Sequence, residues 1–203
     1  VYKRQGTLYH VVLGAAQFEV IWAVEDKGFN PNTFGQINGW IFVVFGVLGS
    51  LFGGIASDWT LRKYNLPRTW FLLILTLLFM PLAFTRYLDT DSILFWVGIC
   101  SSAFSLGCFY GPVFAVIQEL VPPTIKGTVV AFNLLCLNML GIALGSILFG
   151  ILADYAVAQG YENPYTNLLV GFSCVFLVFG PILYYLAGRF YEQDKKALIE
   201  KFN

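Results

Sequence analysis

Residues 33–63 read TFGQINGWIFVVFGVLGSLFGGIASDWTLRK. The stretch opens with 25 residues that include no charged side chain, and Asp58, Arg62 and Lys63 follow directly. A helix needs about 20 apolar residues to cross the hydrocarbon of a bilayer, because each residue rises about 1.5 Å. The stretch therefore predicts a membrane-spanning helix that ends in a charged segment.

The composition of the whole chain is typical of a membrane protein. Of the 203 residues, 58% are hydrophobic and 12% are charged, and the mean hydropathy is +0.71. Soluble domains carry roughly 25% charged residues. The formal net charge is zero, and nucleic-acid binding needs a concentrated positive face. We therefore expect an integral membrane protein, surrounded by lipid and without a nucleic-acid partner.

Six apolar runs are long enough to span a membrane. The first begins almost at residue 1, is too long for the core of a signal peptide and lacks a small-residue cleavage site. The predicted spans are residues 6–24, 33–57, 69–87, 92–120, 127–153 and 166–188. The predicted fold class is therefore all-α, with six transmembrane helices.

Lysine and arginine are distributed unequally between the two sides of the predicted membrane. With the N-terminus inside, ten of them fall on the inner side, and only Lys27 and Arg86 fall on the outer side. Short loops rich in these residues stay in the cytoplasm. We therefore expect both termini in the cytoplasm. We expect the protein in a plasma membrane or a bacterial inner membrane rather than in the membrane of an organelle.

The sequence carries no pattern typical of catalysis or of metal binding. The four cysteines lie in apolar runs without CxxC spacing, and the chain has one histidine, so neither a zinc site nor a disulfide framework is indicated. The nucleotide-binding pattern GxxxxGK[ST] does not occur in the sequence. We therefore expect no metal, no cofactor and no enzymatic activity.

Polar side chains inside the spans are candidates for contacting a substrate or a proton. A charge within hydrocarbon costs about 2.5 to 3.5 kcal/mol, so Glu19, the one acid well inside a span, needs a partner or reaches the membrane surface. His10 and Gln17 share a helix face, while Glu19 points nearly the opposite way, so we expect no pair between His10 and Glu19. The candidates are His10, Gln17, Glu19, Asn133 and Asn138.

Small residues form stripes on two spans. Gly49 and Gly53 are four residues apart in the second span, as are Gly141 and Gly145 in the fifth. Such stripes let another helix backbone approach closely. They predict either static helix contacts or sliding surfaces, and Asn138, on the face of the second stripe, is expected at a helix contact.

The charged segment after the second span resembles a family signature. Residues 54–63, GIASDWTLRK, are similar to the loop motif G-x-L-[AGS]-D-R-x-G-R-[RK] of the major facilitator superfamily. The positions that match are Gly54, Ser57, Asp58, Arg62 and Lys63, whereas Ala56, Trp59 and Leu61 depart from the motif. Residues 111–154 resemble the spinster-like branch of that superfamily.

The resemblance implies a secondary transporter that works by alternating access. Residues 1–203 are then the C-terminal six-helix half of a twelve-helix fold, with a cytoplasmic tail at residues 189–203 and an N-terminal six-helix half of the same chain as partner. The implied substrate is a small or amphiphilic solute, such as a lysophospholipid, a sphingoid base or a small organic anion, moved by a proton gradient, by another ion gradient or by its own gradient. The alternative is a six-span structural or channel protein that acts as a homo-oligomer.

The signature also implies a conformational gate on the inner side. Exposed ion pairs are worth about 0 to 1 kcal/mol each, so such a network biases a transition rather than locking it. The alternative is that the basic residues only keep their loop in the cytoplasm. The expected gate residues are Gly54, Asp58, Arg62, Lys63, Glu119 and Lys126.

Overall fold

A computed structural model describes the backbone of residues 2–202 and the side chains of residues 7–191. Residues 2–202 contain helices and no strand. Short 3-10 turns lie at Thr85–Tyr87 and Pro123–Ile125, and a π-helix lies at Leu137–Ala143. The α-helices are α1 (Tyr2–Ala16), α2 (Glu19–Glu25), α3 (Pro31–Tyr64), α4 (Arg68–Phe84), α5 (Ile93–Glu119), α6 (Lys126–Cys136), α7 (Leu144–Ala158) and α8 (Pro164–Phe202).

Six segments of the described chain are long and apolar enough to cross a membrane, which confirms the predicted all-α, six-span fold class. Their ends lie within a few residues of the predicted ends, except where helices continue beyond the apolar run. We number them as the first to sixth span: Thr7–Glu25, Pro31–Tyr64, Arg68–Tyr87, Ile93–Glu119, Pro123–Ala158 and Pro164–Tyr191.

The second span is longer than its apolar run. Helix α3 starts at an Asn30 cap, whose side chain accepts the backbone N–H groups of Asn32 and Thr33, and continues to Tyr64. No glycine or proline interrupts the chain between Gly54 and Pro67, so nothing breaks the helix after the charged residues begin. Arg62 and Lys63 therefore lie in the last turn of α3 rather than in a loop.

Two spans are interrupted. The first span breaks between α1 and α2, at residues 17–18. The fifth span passes through the π-helix Leu137–Ala143 between α6 and α7. A π-helix bonds residue i to residue i+5 and so has a wider turn than an α-helix. The wider turn changes which side chains share a face within this span.

The spans pack in a pattern that repeats after three helices. The second span packs mainly on the fourth, and the fifth packs mainly on the first. The third span flanks the fourth, the sixth flanks the first, and the third and sixth also contact each other. If the first span is exchanged with the fourth, the second with the fifth and the third with the sixth, the same contacts result. Two related three-helix repeats require this pattern.

The glycine stripes lie at helix contacts. A Cβ added to Gly53 would come within 2.6 Å of the Cα of Cys108 in the fourth span, and one added to Gly145 would come within 2.9 Å of the Cα of Val11 in the first span. Real Cβ atoms do not approach backbone so closely, so only glycine permits this spacing. The two stripes thus hold together the two main helix pairs.

Apolar side chains form one buried cluster near each end of the bundle. The cluster around Trp22 includes Phe95 and Phe149, and the cluster around Phe109 includes Leu72 and Tyr184. Large apolar side chains are exposed along the outer faces of the second and fifth spans. Examples are Trp40, Val47 and Ile55 in the second span, and Met139, Ile147 and Ile151 in the fifth.

Candidate functional site

A carboxylate and a guanidinium are buried together near one end of the bundle. Glu19 Oε1 accepts a hydrogen bond from Arg86 Nη2 at 2.5 Å, and Glu19 Oε2 accepts one from Asn38 Nδ2 at 3.2 Å. Glu19 is 4% exposed and Arg86 is 7% exposed. Each charge offsets the cost of removing the other from water. We call Glu19, Asn38 and Arg86 the buried charge cluster; it joins the first three spans.

Local backbone structure positions these side chains. Glu19 is the first residue of α2, directly after the break in the first span, and Arg86 lies on the 3-10 turn that ends the third span. Gly98 of the fourth span lies against this turn, since a Cβ there would come within 2.7 Å of the Cα of Arg86. The guanidinium carbon of Arg86 is 5.1 Å from the centre of the Trp22 ring, within the range of a cation–π contact.

A cavity of about 110 Å³ adjoins the buried charge cluster. It lies mainly between the first, third, fourth and sixth spans, and both Glu19 and Tyr9 line it. These residues are ten positions apart on the first span, so the cavity extends roughly 15 Å along the bundle.

The lining of the cavity changes from polar to apolar along its length. Hydroxyl groups of Tyr87, Ser102 and Ser173 line it together with the charges of Glu19 and Arg86. At the far end, the ring of Tyr9 stacks on Phe109 at a centroid distance of 4.3 Å and lies 5.1 Å from Phe176. The cavity is therefore amphipathic, with charge at one end and aromatic walls at the other.

A second group of charges lies at the opposite end of the bundle. Arg68 Nη2 is 2.8 Å from Asp58 Oδ1, and Arg68 Nη1 donates to Glu119 Oε1. The hydroxyl of Tyr191 donates to the other carboxylate oxygen of Glu119. The side chain of Asp58 is 49% exposed and that of Glu119 is 28% exposed. We call Asp58, Arg68, Glu119 and Tyr191 the terminal charge cluster; it joins the second, third, fourth and sixth spans.

The structure brings two of the expected gate acids together, but through a different cation. Arg62 and Lys126 make no ion pair with another described side chain, and the Nζ of Lys63 lies over the Trp59 ring at 4.8 Å. The bridging cation is Arg68, because α4 folds back against α3 and α5 and its first residue reaches both acids.

Gly54, the remaining expected gate residue, lies one turn before Asp58. Its carbonyl oxygen accepts a hydrogen bond from Ser57, and a Cβ on Gly54 would meet nothing within 4 Å. Gly54 therefore leaves open space beside α3 at this end of the bundle and takes no part in the electrostatic contacts of its side chains.

The other substrate candidates do not line the cavity. His10 is buried against Gly141, and its Nε2 lies 3.4 Å from the hydroxyl of Tyr110. Gln17 is exposed at the break in the first span. Asn133 is buried, and its Nδ2 has no hydrogen-bond partner among the described residues.

Asn138 is exposed rather than placed at a helix contact, and its Nδ2 donates to the carbonyl of Leu134. The expected shared face with Gly141 and Gly145 assumed an α-helix. Asn138 lies in the π-helix, whose wider turn rotates it away from the two glycines.

Sequence reasoning missed both arginines that organise the clusters. Arg68 and Arg86 lie at the two ends of the third span, and from the sequence they serve only to assign the two sides of the membrane. Arg86 is buried within the bundle rather than exposed on the outer side. The signal available was that Arg86 directly follows the apolar run of the third span and precedes the polar residues 89–92, which read DTDS. Among the described residues, no group of three or more His, Cys, Asp or Glu side chains is arranged to hold a metal ion.

Six apolar spans with contacts that repeat after three helices, around an amphipathic cavity, are the architecture of a multi-pass membrane protein. The sequence profile of the Major Facilitator Superfamily matches residues 8–146. The chain belongs to this superfamily, whose members are membrane transporters rather than enzymes. Neither a curated protein nor a solved structure matches the chain.

Proposed function

We propose that the protein is a secondary active transporter that moves a small or amphiphilic solute by alternating access. The observation that carries this proposal is the cavity beside the buried charge cluster. A buried ion pair in a membrane bundle costs free energy to place, and Glu19 and Arg86 also line the cavity. Such a pair is better explained by a transported ligand than by packing alone.

The terminal charge cluster supports a role as a gate. Arg68 connects an acid of the second span with an acid of the fourth, and these spans belong to different three-helix repeats. Asp58 and Arg68 lie in the same repeat, so a movement of one repeat against the other at this end must separate Arg68 from Glu119. Because the side chain of Glu119 is 28% exposed, water replaces part of the lost contact, and the separation costs less than breaking a fully buried pair.

We further propose that the six spans are the C-terminal half of a twelve-helix carrier of the spinster-like type, with both termini in the cytoplasm. The exposed apolar faces of the second and fifth spans support packing against another six-helix unit. In this arrangement the terminal charge cluster lies on the cytoplasmic side. The substrate is a lysolipid or a sphingoid-like molecule, and its movement is coupled to protons.

Uptake into proteoliposomes tests the transport function. The full-length protein is reconstituted in phosphatidylcholine liposomes, and uptake of a lysophospholipid, a sphingoid base and a small dicarboxylate is measured with and without a pH gradient. We expect one of them to enter faster than into protein-free liposomes and to respond to the gradient. Uptake equal to that of protein-free liposomes for all three would contradict the proposal.

The variant Asp58→Asn tests the gate. Loss of the carboxylate removes one of the two acids on Arg68, so the bundle should open more often at this end. We expect a cysteine placed at Thr60 to react faster with a membrane-impermeant thiol reagent, on a background from which the native cysteines have been removed. Arg62→Gln is the matched control, because Arg62 lies in the same part of α3 without an ion pair to a described side chain. Equal reaction rates in the Asp58→Asn variant and the unaltered protein would argue against the gate.

A further inference from the structure

We propose that Ser146 of the fifth span positions Glu19 in the buried charge cluster. The hydroxyl of Ser146 bonds the backbone of the first span where that span is broken, and the break turns Glu19 into the bundle. The inference deepens the proposed function and rests on it for the role of the cavity. It names a residue outside the cavity lining that sets the geometry of the charged end of the cavity.

The break in the first span is a short, overwound turn. The backbone N–H of Gln17 donates to the carbonyl oxygen of Gly14 at 3.3 Å. The backbone N–H of Phe18 donates to that of Ala15 at 3.1 Å, so both bonds reach back three residues rather than four. A 3-10 turn advances about 120° per residue and an α-helix about 100°, so two such residues rotate the following helix by roughly 40°.

This rotation decides which side chains of the first span enter the bundle. His10 is buried against the fifth span, and an uninterrupted helix would place Gln17 on the same face, since it lies seven residues further on. Gln17 is exposed instead. Glu19, the first residue of α2, is buried beside Arg86. The break therefore places Glu19 in the buried charge cluster and leaves Gln17 outside it.

A side chain of the fifth span stabilises the break. Ser146 Oγ donates to the carbonyl oxygen of Gly14 at 3.1 Å. In an uninterrupted helix this oxygen would accept the N–H of Phe18, which donates to Ala15 instead. A backbone carbonyl at membrane depth needs a partner, and where a helix is broken a Ser or Thr of a neighbouring helix supplies it. Ser146 thus takes the place of the lost intrahelical bond.

The other main helix pair has the same crossing without a break. A Cβ on Gly14 would lie 2.8 Å from the backbone nitrogen of Ser146, and a Cβ on Gly107 of the fourth span would lie 2.9 Å from that of Ser50 in the second span. Ser50 is exposed and its hydroxyl bonds no other residue in the described part of the chain. Helix α5 passes Gly107 without interruption. The serine bond and the break therefore occur at the same one of two matching crossings.

Fluorine NMR tests whether Ser146 positions the buried charge cluster. Trp22 lies on α2, and its ring centre is 5.1 Å from the guanidinium carbon of Arg86, so its resonance reports on the cluster. The full-length protein is labelled with 5-fluorotryptophan and measured in phosphatidylcholine nanodiscs, and the Trp22 signal is assigned by its loss in Trp22→Phe. We expect Ser146→Ala to shift this signal. Ser50→Ala, the matched control at the other crossing, should leave it unchanged.

A double-mutant cycle distinguishes positioning from an ordinary structural hydrogen bond. Ser146→Ala is made in the unaltered protein and in Glu19→Gln/Arg86→Gln, where no ion pair remains to be positioned. In the double variant we expect the unfolding equilibrium constant, from denaturant titration in detergent, to rise about fivefold, as for one neutral hydrogen bond. In the unaltered protein the rise should be about tenfold larger, because the buried pair is weakened as well.

The inference is overturned if Ser146→Ala leaves the Trp22 signal in place, or if the unfolding constant rises by the same factor in both backgrounds. If Ser146→Ala does not fold, Ser146→Cys, which keeps a weak donor, takes its place in both measurements. Neither measurement depends on transport. Both results as expected, without uptake in liposomes, would contradict the transport function alone. Uptake by the unaltered protein with an unmoved Trp22 signal in Ser146→Ala would contradict the positioning role alone.

Discussion

The two charge clusters each place one largely buried arginine beside acids, yet the acids differ in their contact with water. Glu19 and Arg86 are at least nine-tenths buried, whereas the side chain of Asp58 is half exposed. Asn38 and Asp58 mark the two clusters on α3, twenty residues and so roughly 30 Å apart. Breaking a buried pair is costly and breaking an exposed one is not. The Glu19 end therefore suits a permanent contact, and the Asp58 end suits one that forms and breaks.

The largest expected effect comes from breaking the buried charge cluster on one side. Arg86→Gln leaves the Glu19 carboxylate buried without its counter-charge, and such changes cost about 3 to 5 kcal/mol. We expect the free energy of unfolding in detergent, measured by denaturant titration, to fall by this amount. A loss below about 1 kcal/mol, the range of exposed pairs, would remove the contrast between the two ends.

The double variant Glu19→Gln/Arg86→Gln separates the charge effect from packing. With both charges removed no uncompensated ion remains, so most of the lost stability should return. A double variant that is as unstable as Arg86→Gln would show that the side-chain shapes, rather than the charges, stabilise this end.

The next effect concerns the backbone that supports Arg86. Gly98→Ala places a Cβ against the backbone of Arg86, and overpacking of this kind costs about 1 to 3 kcal/mol. Gly111 provides the control on the same helix near the other cluster, because a Cβ there lies 3.6 Å from Gly54, at ordinary contact distance. We expect thermal unfolding to show a lower midpoint for Gly98→Ala and little change for Gly111→Ala. Equal midpoints would mean that the turn at Arg86 is as tolerant as the Asp58 end.

The contrast between the clusters also separates what the sequence predicts from what it does not. The six spans follow from the length of apolar runs, which is a local property of the chain. Asp58 and Glu119 were identifiable because they end two of these runs. Arg68 and Arg86 were not, because their roles depend on how the third span folds back between the second, the fourth and the first. Long-range contacts of this kind leave no periodic signal in the sequence.

The π-helix of the fifth span is a second feature that the sequence did not predict. Residues 137–143 read LNMLGIA, an ordinary apolar stretch without proline. Gly141 within the π-helix and Gly145 just after it lie against His10 and Val11 of the first span. The location of Asn138 therefore follows from the π-helical turn and not from regular α-helical spacing.

A smaller effect is expected from removing the bridging arginine of the terminal charge cluster. Arg68→Gln leaves two acids that are both partly exposed, so water solvates them and the loss in unfolding free energy should be about 1 kcal/mol. Denaturant titration in the detergent used for Arg86→Gln gives the direct comparison. A loss as large as that of Arg86→Gln would show that the Asp58 end is also a permanent contact.

The smallest effect is the response of each cluster to salt. Exposed charges are screened as the Debye length falls from about 10 Å at 0.1 M toward 3 Å at 1 M, whereas buried pairs are screened much less. The difference in unfolding free energy between the unaltered protein and Arg68→Gln should therefore shrink as salt rises from 0.05 to 0.5 M. The expected decrease is a few tenths of a kcal/mol, a fraction of the roughly 1 kcal/mol that a partly exposed pair contributes. The difference between the unaltered protein and Arg86→Gln should stay constant over the same range. Parallel salt dependence in both variants would mean that water reaches Glu19 as freely as it reaches Asp58, and the two ends of the bundle would then be electrostatically alike.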